Sequence, residues 1–91
     1  MRRLEARITW VAGENGWAPF SGMQPSFLAG VDLIMSKVTS KNHAPPMEWG
    51  QTCDVTIELP YGEHYDEHLM NGMPVRLQIG GRIIAEGNVT G

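Results

Sequence analysis

Val75-Arg76-Leu77-Gln78-Ile79-Gly80-Gly81-Arg82-Ile83-Ile84-Ala85-Glu86-Gly87-Asn88-Val89-Thr90 is the stretch on which the fold turns. It reads as two short strands folded about Gly80-Gly81, because a tight two-residue hairpin needs positive φ and glycine supplies it without steric cost. On the first arm Val75, Leu77 and Ile79 share one face, with Arg76 and Gln78 on the other. On the second arm Ile83, Ala85 and Val89 are expected inside and Glu86, Asn88 and Thr90 outside. A lone hairpin is marginal in water, so this one must close a larger sheet.

The partners lie upstream. After Gly50 the chain alternates cleanly, placing Cys53, Val55, Ile57 and Leu59 inward and Thr52, Asp54, Thr56 and Glu58 outward until Pro60-Tyr61-Gly62 stops it. Leu4, Ala6, Ile8 and Trp10 alternate in the same way at the start of the chain, before Gly13-Glu14-Asn15-Gly16 breaks the pattern. Between these, Pro19 to Phe27 carries two prolines and a glycine and reads as an extended loop leading into a strand. From Phe27 to Val38 the row Val31, Leu33, Met35 alternates with Asp32, Ile34, Ser36, and no capping pattern starts a helix, so one or two strands are expected. Thr39 to Trp49, with Pro45-Pro46, is a loop, and Glu63 to Asn71 is expected to form a short helical turn. The sum is an all-β single domain over residues 1–91, a small closed antiparallel β-barrel of about six strands that leaves no exposed edge.

Composition narrows the function. A net charge of −3 argues against a general phosphate-binding surface; the basic residues are scattered and the acidic ones bunch between Glu58 and Glu67. The single cysteine, Cys53, excludes an internal disulfide and fits a reducing, cytoplasmic compartment. No apolar run follows Met1-Arg2-Arg3 to make a signal peptide, and none reaches membrane-spanning length. A start at Met1 with this basic leader favours a complete small protein.

These residues together resemble the C-terminal (third) domain of elongation factor Tu, over nearly the whole chain. Leu4 to Trp10 looks like that domain's first strand, and Asn15-Gly16 falls where the family has paired glycines. Pro19-Phe20, Gly22, Pro25 and Phe27 are similar to its Pro-Phe … Gly-Tyr-Arg-Pro-Gln-Phe segment, one residue shorter between Pro19 and Gly22. Met47 and Gly50, with Leu59 nine residues further on, follow its Met-Pro-Gly-Asp strand, and Gly80-Gly81-Arg82 with Gly87 and Val89 is similar to its closing hairpin. The resemblance implies a six-stranded antiparallel barrel that docks on a GTPase domain, touches the T-stem of aminoacyl-tRNA and contacts the exchange partner, without performing chemistry. The chain has no Gly-x-x-x-x-Gly-Lys-Ser/Thr loop, so GTP binding does not carry over, and no cofactor is expected.

The departures fall on polar positions of the family's tRNA and interdomain faces. Trp17-Ala18 stands for Arg-x-Thr, Met23-Gln24 and Ser26 for Tyr-Arg and Gln, and Gln78-Ile79 for Arg-Glu. Arginine makes charge-assisted, often bidentate contacts that glutamine does not replace. The resemblance therefore implies a retained scaffold with a reduced RNA face.

Among residues that could carry chemistry, His64-Tyr65-Asp66-Glu67-His68 matches His-x-x-Glu-His, the inverted zinc-protease motif. On a helix both histidines would face one metal with Glu67 as base. The motif also requires a third ligand and a substrate cleft, and a solvated acidic loop is the competing explanation. Cys53 lies on an inward strand face, where cysteine acts as a small hydrophobe; His43 does not turn it into a nucleophile, and no serine triad has support. Asn88-Val89-Thr90 matches a glycosylation acceptor that a cytoplasmic chain would not use.

Trp17, Phe20, Met23, Gln24 and Trp49, with Met47 nearby, are the protein-contact candidates, since loop aromatics and methionines mark interfaces when exposed and plug barrel ends when not. Three functions follow in order. The first is a non-catalytic interaction module that binds protein, as mimic, decoy or translation-associated domain. The second is a tRNA- or RNA-binding domain using Gly80, Gly81, Arg82 and Arg76. The third is a metal-dependent hydrolase at His64, His68 and Glu67.

Overall fold

The computed structural model describes residues 1–11, 19–41 and 49–91. Seven strands follow one another: β1 (Arg2–Trp10), β2 (Ser26–Ala29), β3 (Asp32–Met35), β4 (Lys37–Ser40), β5 (Thr52–Leu59), β6 (Pro74–Ile79) and β7 (Arg82–Val89). Two 3-10 turns, Gly62–His64 and Asp66–His68, lie between β5 and β6, and the described residues contain no α-helix. Every ladder is antiparallel, in one sheet of order β3-β2-β6-β7-β1-β5-β4. No helix among the described residues is long and apolar enough to cross a membrane.

β1 organises the centre because its alternation is unbroken. It pairs with β5 from Arg2↔Leu59 to Thr9↔Thr52 and with β7 from Ala6↔Val89 to Trp10↔Ala85. Its inward row Leu4, Ala6, Ile8 and Trp10 is buried, as is the Val55, Ile57, Leu59 row of β5. Each large apolar side chain buried in this way contributes roughly 1.5–3 kcal/mol. Cys53, on the same inward face, is only half-buried because it sits at the open end of β5. Gly87 lies opposite Ile8 on β1 and Val75 on β6. A Cβ there would meet the Arg7 carbonyl oxygen and come within 2.7 Å of the Ile8 Cα, so the close approach of β7 to β1 requires glycine.

The closing hairpin forms as expected at Gly80 and Gly81, whose φ values are +59° and +78°. Its facing differs from simple alternation. The register shifts between Leu77 and Gln78, so that Gln78 opposes Ile83 while Leu77 opposes Ala85. Ile84 is the extra residue of this β-bulge, which turns both Ile84 and Ala85 into the core and leaves Ile83 only partly buried. Ile79, expected inside, is exposed at the hairpin tip.

The region from Phe27 to Val38 holds β2, β3 and the start of β4 rather than one or two strands. Phe27 and Ala29 of β2 face the core together with Ile34, Ser36 and Val38, while Val31, Leu33 and Met35 point to solvent. The buried row tolerates Ser36 because its Oγ donates a 2.6 Å hydrogen bond to the Pro25 carbonyl.

The closed six-stranded barrel is corrected to a curled half-barrel of seven strands. The two edge strands, β3 and β4, are consecutive in the chain and change partner at Ser36: β3 pairs with β2, and β4 with β5. Ser36, its bond to Pro25 and a single bridge between Met23 and Val38 hold the ends of the order near each other without a continuous ladder. The β5 side of the ladder stops at Lys37↔Glu58, one residue short of Leu59 and before Pro60, which has no N–H to donate.

Candidate interaction surface

The edge of β3 follows from the hydrogen bonds around it. Val38 donates to the Met23 carbonyl at 2.9 Å and accepts from the Gly22 N–H at 2.7 Å, so its backbone groups point toward the segment preceding β2. Backbone groups alternate sides along a strand, so those of Asp32 and Ile34 also point toward β2, and those of Leu33 and Met35 point away. The odd-numbered Lys37 and Thr39 spend theirs on β5. Leu33 and Met35 meet no such partner, and no backbone hydrogen bond fills this edge among the described residues.

The outward side chains of the same strand, Leu33 and Met35, are apolar and 51% and 55% exposed, and Val31, in the turn just before the strand, is 95% exposed. Leu28 of β2, directly across from Leu33, extends the row and is partly buried. Gly30, with φ +65°, makes the turn at the tip of this hairpin, and a Cβ on it would come 2.8 Å from His68 Nε2. Leu28, Gly30, His68, Met73, Pro74 and Arg76 line a cavity of about 190 Å³ beside the row. Beside this turn Asp32 accepts a 3.0 Å hydrogen bond from Tyr65 Oη, which also pushes the Tyr65 hydroxyl above its ordinary pKa.

The contact candidates read from the sequence separate. Trp17 and Met47, like His43, lie outside the described residues. Phe20 is 59% exposed and Gln24 is exposed. Met23, expected at a contact surface, is buried in the core because its backbone bridges to Val38. Trp49 is partly buried and sets its ring edge-on against Trp10, centroids 6.3 Å apart, which makes it a packing residue at the end of the sheet. Among the described residues, the buried Trp10 indole N–H has no partner at hydrogen-bonding geometry. Burial raises the pKa of the neighbouring Cys53 thiol, and Trp10 offsets part of that rise.

For the RNA candidates, Gly80, Gly81 and Arg82 form the exposed tip of the closing hairpin, and Arg76 pairs across the ladder with Glu86 at 3.8 Å. Other cations are matched in the same way: Arg2 with Asp66 at 3.1 Å, Lys41 with Glu5 at 3.5 Å, and Arg7 with Asp54 at 3.0 Å. Arg7 forms two hydrogen bonds to the Asp54 carboxylate, holding it below its ordinary pKa while its own is raised. Such exposed pairs add little stability but reduce the charge offered to a phosphate.

The histidine motif does not lie on one helix. His64 ends the first 3-10 turn and His68 the second, with Tyr65 between them, so the i, i+4 face that a zinc site needs is not formed. His68 Nε2 lies 3.5 Å from a largely exposed Glu67 carboxylate. Among the described residues no three His, Cys, Asp or Glu side chains group to hold a metal ion.

The Val31-Leu33-Met35 row is the feature that sequence reasoning missed. Its signal was the alternation itself, in which Ser36 marks the other row as the more polar, and only the bond to Pro25 reverses that preference. The site and sheet define an all-β chain with an open, apolar-faced edge strand. Compared with known proteins, the chain matches no family model and no curated protein.

Proposed function

We propose that this chain is a non-catalytic interaction module that binds protein, on a scaffold resembling the C-terminal domain of elongation factor Tu. In that role it acts in the cytoplasm as a mimic, a decoy or a translation-associated domain. The observation that carries the reading is the exposed apolar set: Phe20, Val31, Leu33, Met35 and Ile79 all face solvent on a chain of only 91 residues. Leu33 and Met35 lie side by side on β3 with Val31 in the turn before it, and a group of exposed apolar side chains suits a protein surface better than a phosphate backbone. The tRNA reading keeps the Gly80-Gly81-Arg82 tip but loses charge, since Arg2, Arg7, Lys41 and Arg76 each face a carboxylate.

Affinity capture on the immobilised chain, run beside a titration with deacylated and aminoacylated tRNA at low salt, separates the two. The expected result is a saturable protein partner and no change in tryptophan fluorescence with tRNA. A salt-sensitive tRNA response without any captured protein would overturn the proposal in favour of RNA binding.

A further inference from the structure

β2 and β6 share the ladder pairs Ser26↔Gln78 and Phe27↔Leu77, and there their pairing stops, although β2 runs on to Ala29 against β3 and β6 begins earlier, at Pro74, against β7. The strands part because Pro74 has no N–H to extend the ladder and Gly30, at φ +65°, turns the chain from β2 into β3. Leu28 and Arg76 would have formed the next pair. Both stand on the outer face, opposite to the buried Phe27 and Leu77, and both line the cavity of about 190 Å³ that lies where the strands diverge. His68 from the second 3-10 turn, with Gly30, Met73 and Pro74, completes the lining. A Cβ at Gly30 would come 2.8 Å from His68 Nε2, so the glycine that makes the turn also makes room for the imidazole.

The lining has a consistent chemical character. Leu28, Met73 and Pro74 are apolar, and the two polar side chains, His68 and Arg76, both carry nitrogen donors. Among the described residues no carboxylate lines the cavity. Glu86 lies 3.8 Å from Arg76 Nε and Glu67 3.5 Å from His68 Nε2, and both carboxylates are half-exposed or more. Pairs this long and this open to water are weak, and a guanidinium with five N–H groups keeps donors to spare.

We propose that this cavity binds a small monocarboxylate with a compact apolar body, its carboxylate on Arg76 and His68 and its body against Leu28, Met73 and Pro74. Size limits the body: an apolar cavity of roughly 150 Å³ holds benzene, so one of about 190 Å³ takes a single ring or a short branched chain with one carboxylate. Arginine recognises a carboxylate through two parallel charge-assisted N–H···O bonds, which a neutral ligand of the same shape does not offer. Glu67 and Glu86 nearby repel a second negative charge, which selects a monoanion over a dianion. The site adds a ligand to the interaction module and does not depend on a protein partner.

Benzoate is the probe. An NMR titration of backbone amides and methyl groups at neutral pH, with chloride holding the ionic strength constant, should give saturable shifts centred on Leu28, Gly30, His68, Met73 and Arg76, with Kd on the order of 0.1–5 mM. Benzyl alcohol keeps the ring without the charge, and acetate keeps the charge without the ring; each should bind at least about 10-fold more weakly. Arg76→Gln and Glu86→Gln remove the same cross-strand pair and should act in opposite directions. The first should weaken benzoate at least about 5-fold, and the second, by releasing the guanidinium, should tighten it about 2-fold. A merely structural effect of losing the pair would move both variants the same way. No saturable shift up to about 20 mM benzoate, shifts centred elsewhere, benzyl alcohol binding as well as benzoate, or both variants changing the affinity in one direction would overturn the proposal.

Discussion

Replacing Ser36 by alanine tests whether one buried hydroxyl holds the two ends of the sheet together. Ser36 is 1% exposed, and its Oγ donates to the Pro25 carbonyl at 2.6 Å where β3 gives way to β4. Alanine keeps the backbone and removes almost no volume, so the loss is confined to that bond. A typical hydrogen bond contributes about 1 kcal/mol net, and leaving a buried acceptor unpaired raises the loss to about 1–3 kcal/mol. Pro25 is itself fully buried, so water does not reach its carbonyl in compensation and the upper half of that range applies. For a domain of this size each kcal/mol lowers Tm by about 4–8 °C, so a loss of about 2–3 kcal/mol should lower the Tm of Ser36→Ala by about 8–24 °C. Urea unfolding followed by tryptophan fluorescence gives the free energy directly, with the slope m unchanged because the surface exposed on unfolding is the same. Ser21→Ala is the control. Its hydroxyl accepts an exposed bond from the Ser40 N–H at 3.1 Å and should matter by less than about 0.5 kcal/mol. A Ser36→Ala variant as stable as the wild type would refute the argument, because the polar residue in the buried row would then need no partner.

Two further outcomes follow from single positions. Gly87→Ala drives a methyl onto the Arg7 carbonyl and the Ile8 Cα, both backbone atoms of the central strand, and should cost more than about 2 kcal/mol by the same urea assay. Arg7→Gln removes the group that holds the Asp54 carboxyl below its ordinary value of 3.8, so the Asp54 midpoint measured by NMR titration should move up toward that value. A carboxyl lowered in the folded state contributes stability that is present above 3.8 and is lost as pH falls through the lowered folded value, so the Arg7→Gln and wild-type stabilities should converge in acid.

β1 and β5 were legible because each commits one whole row of apolar residues to the core and one row of polar residues to water, leaving only one phase that buries them. The tight turn at Gly80-Gly81 was legible for a similar local reason, since positive φ is written in the residue type. What escaped the sequence depends on contacts between distant segments. The bulge at Ile84 is set by how β7 meets β6, and Ser36 is acceptable inside only because Pro25, eleven residues earlier, offers a carbonyl. In β3 both rows carry apolar residues, so alternation identifies a strand without saying which side is in. A strand that spends Leu33 and Met35 on solvent while burying Ser36 departs from the pattern its neighbours obey, and such departures concentrate where a sequence answers to something besides its own core. The ambiguity that hid the facing of β3 and the apolar edge it exposes are therefore two consequences of one choice of residues.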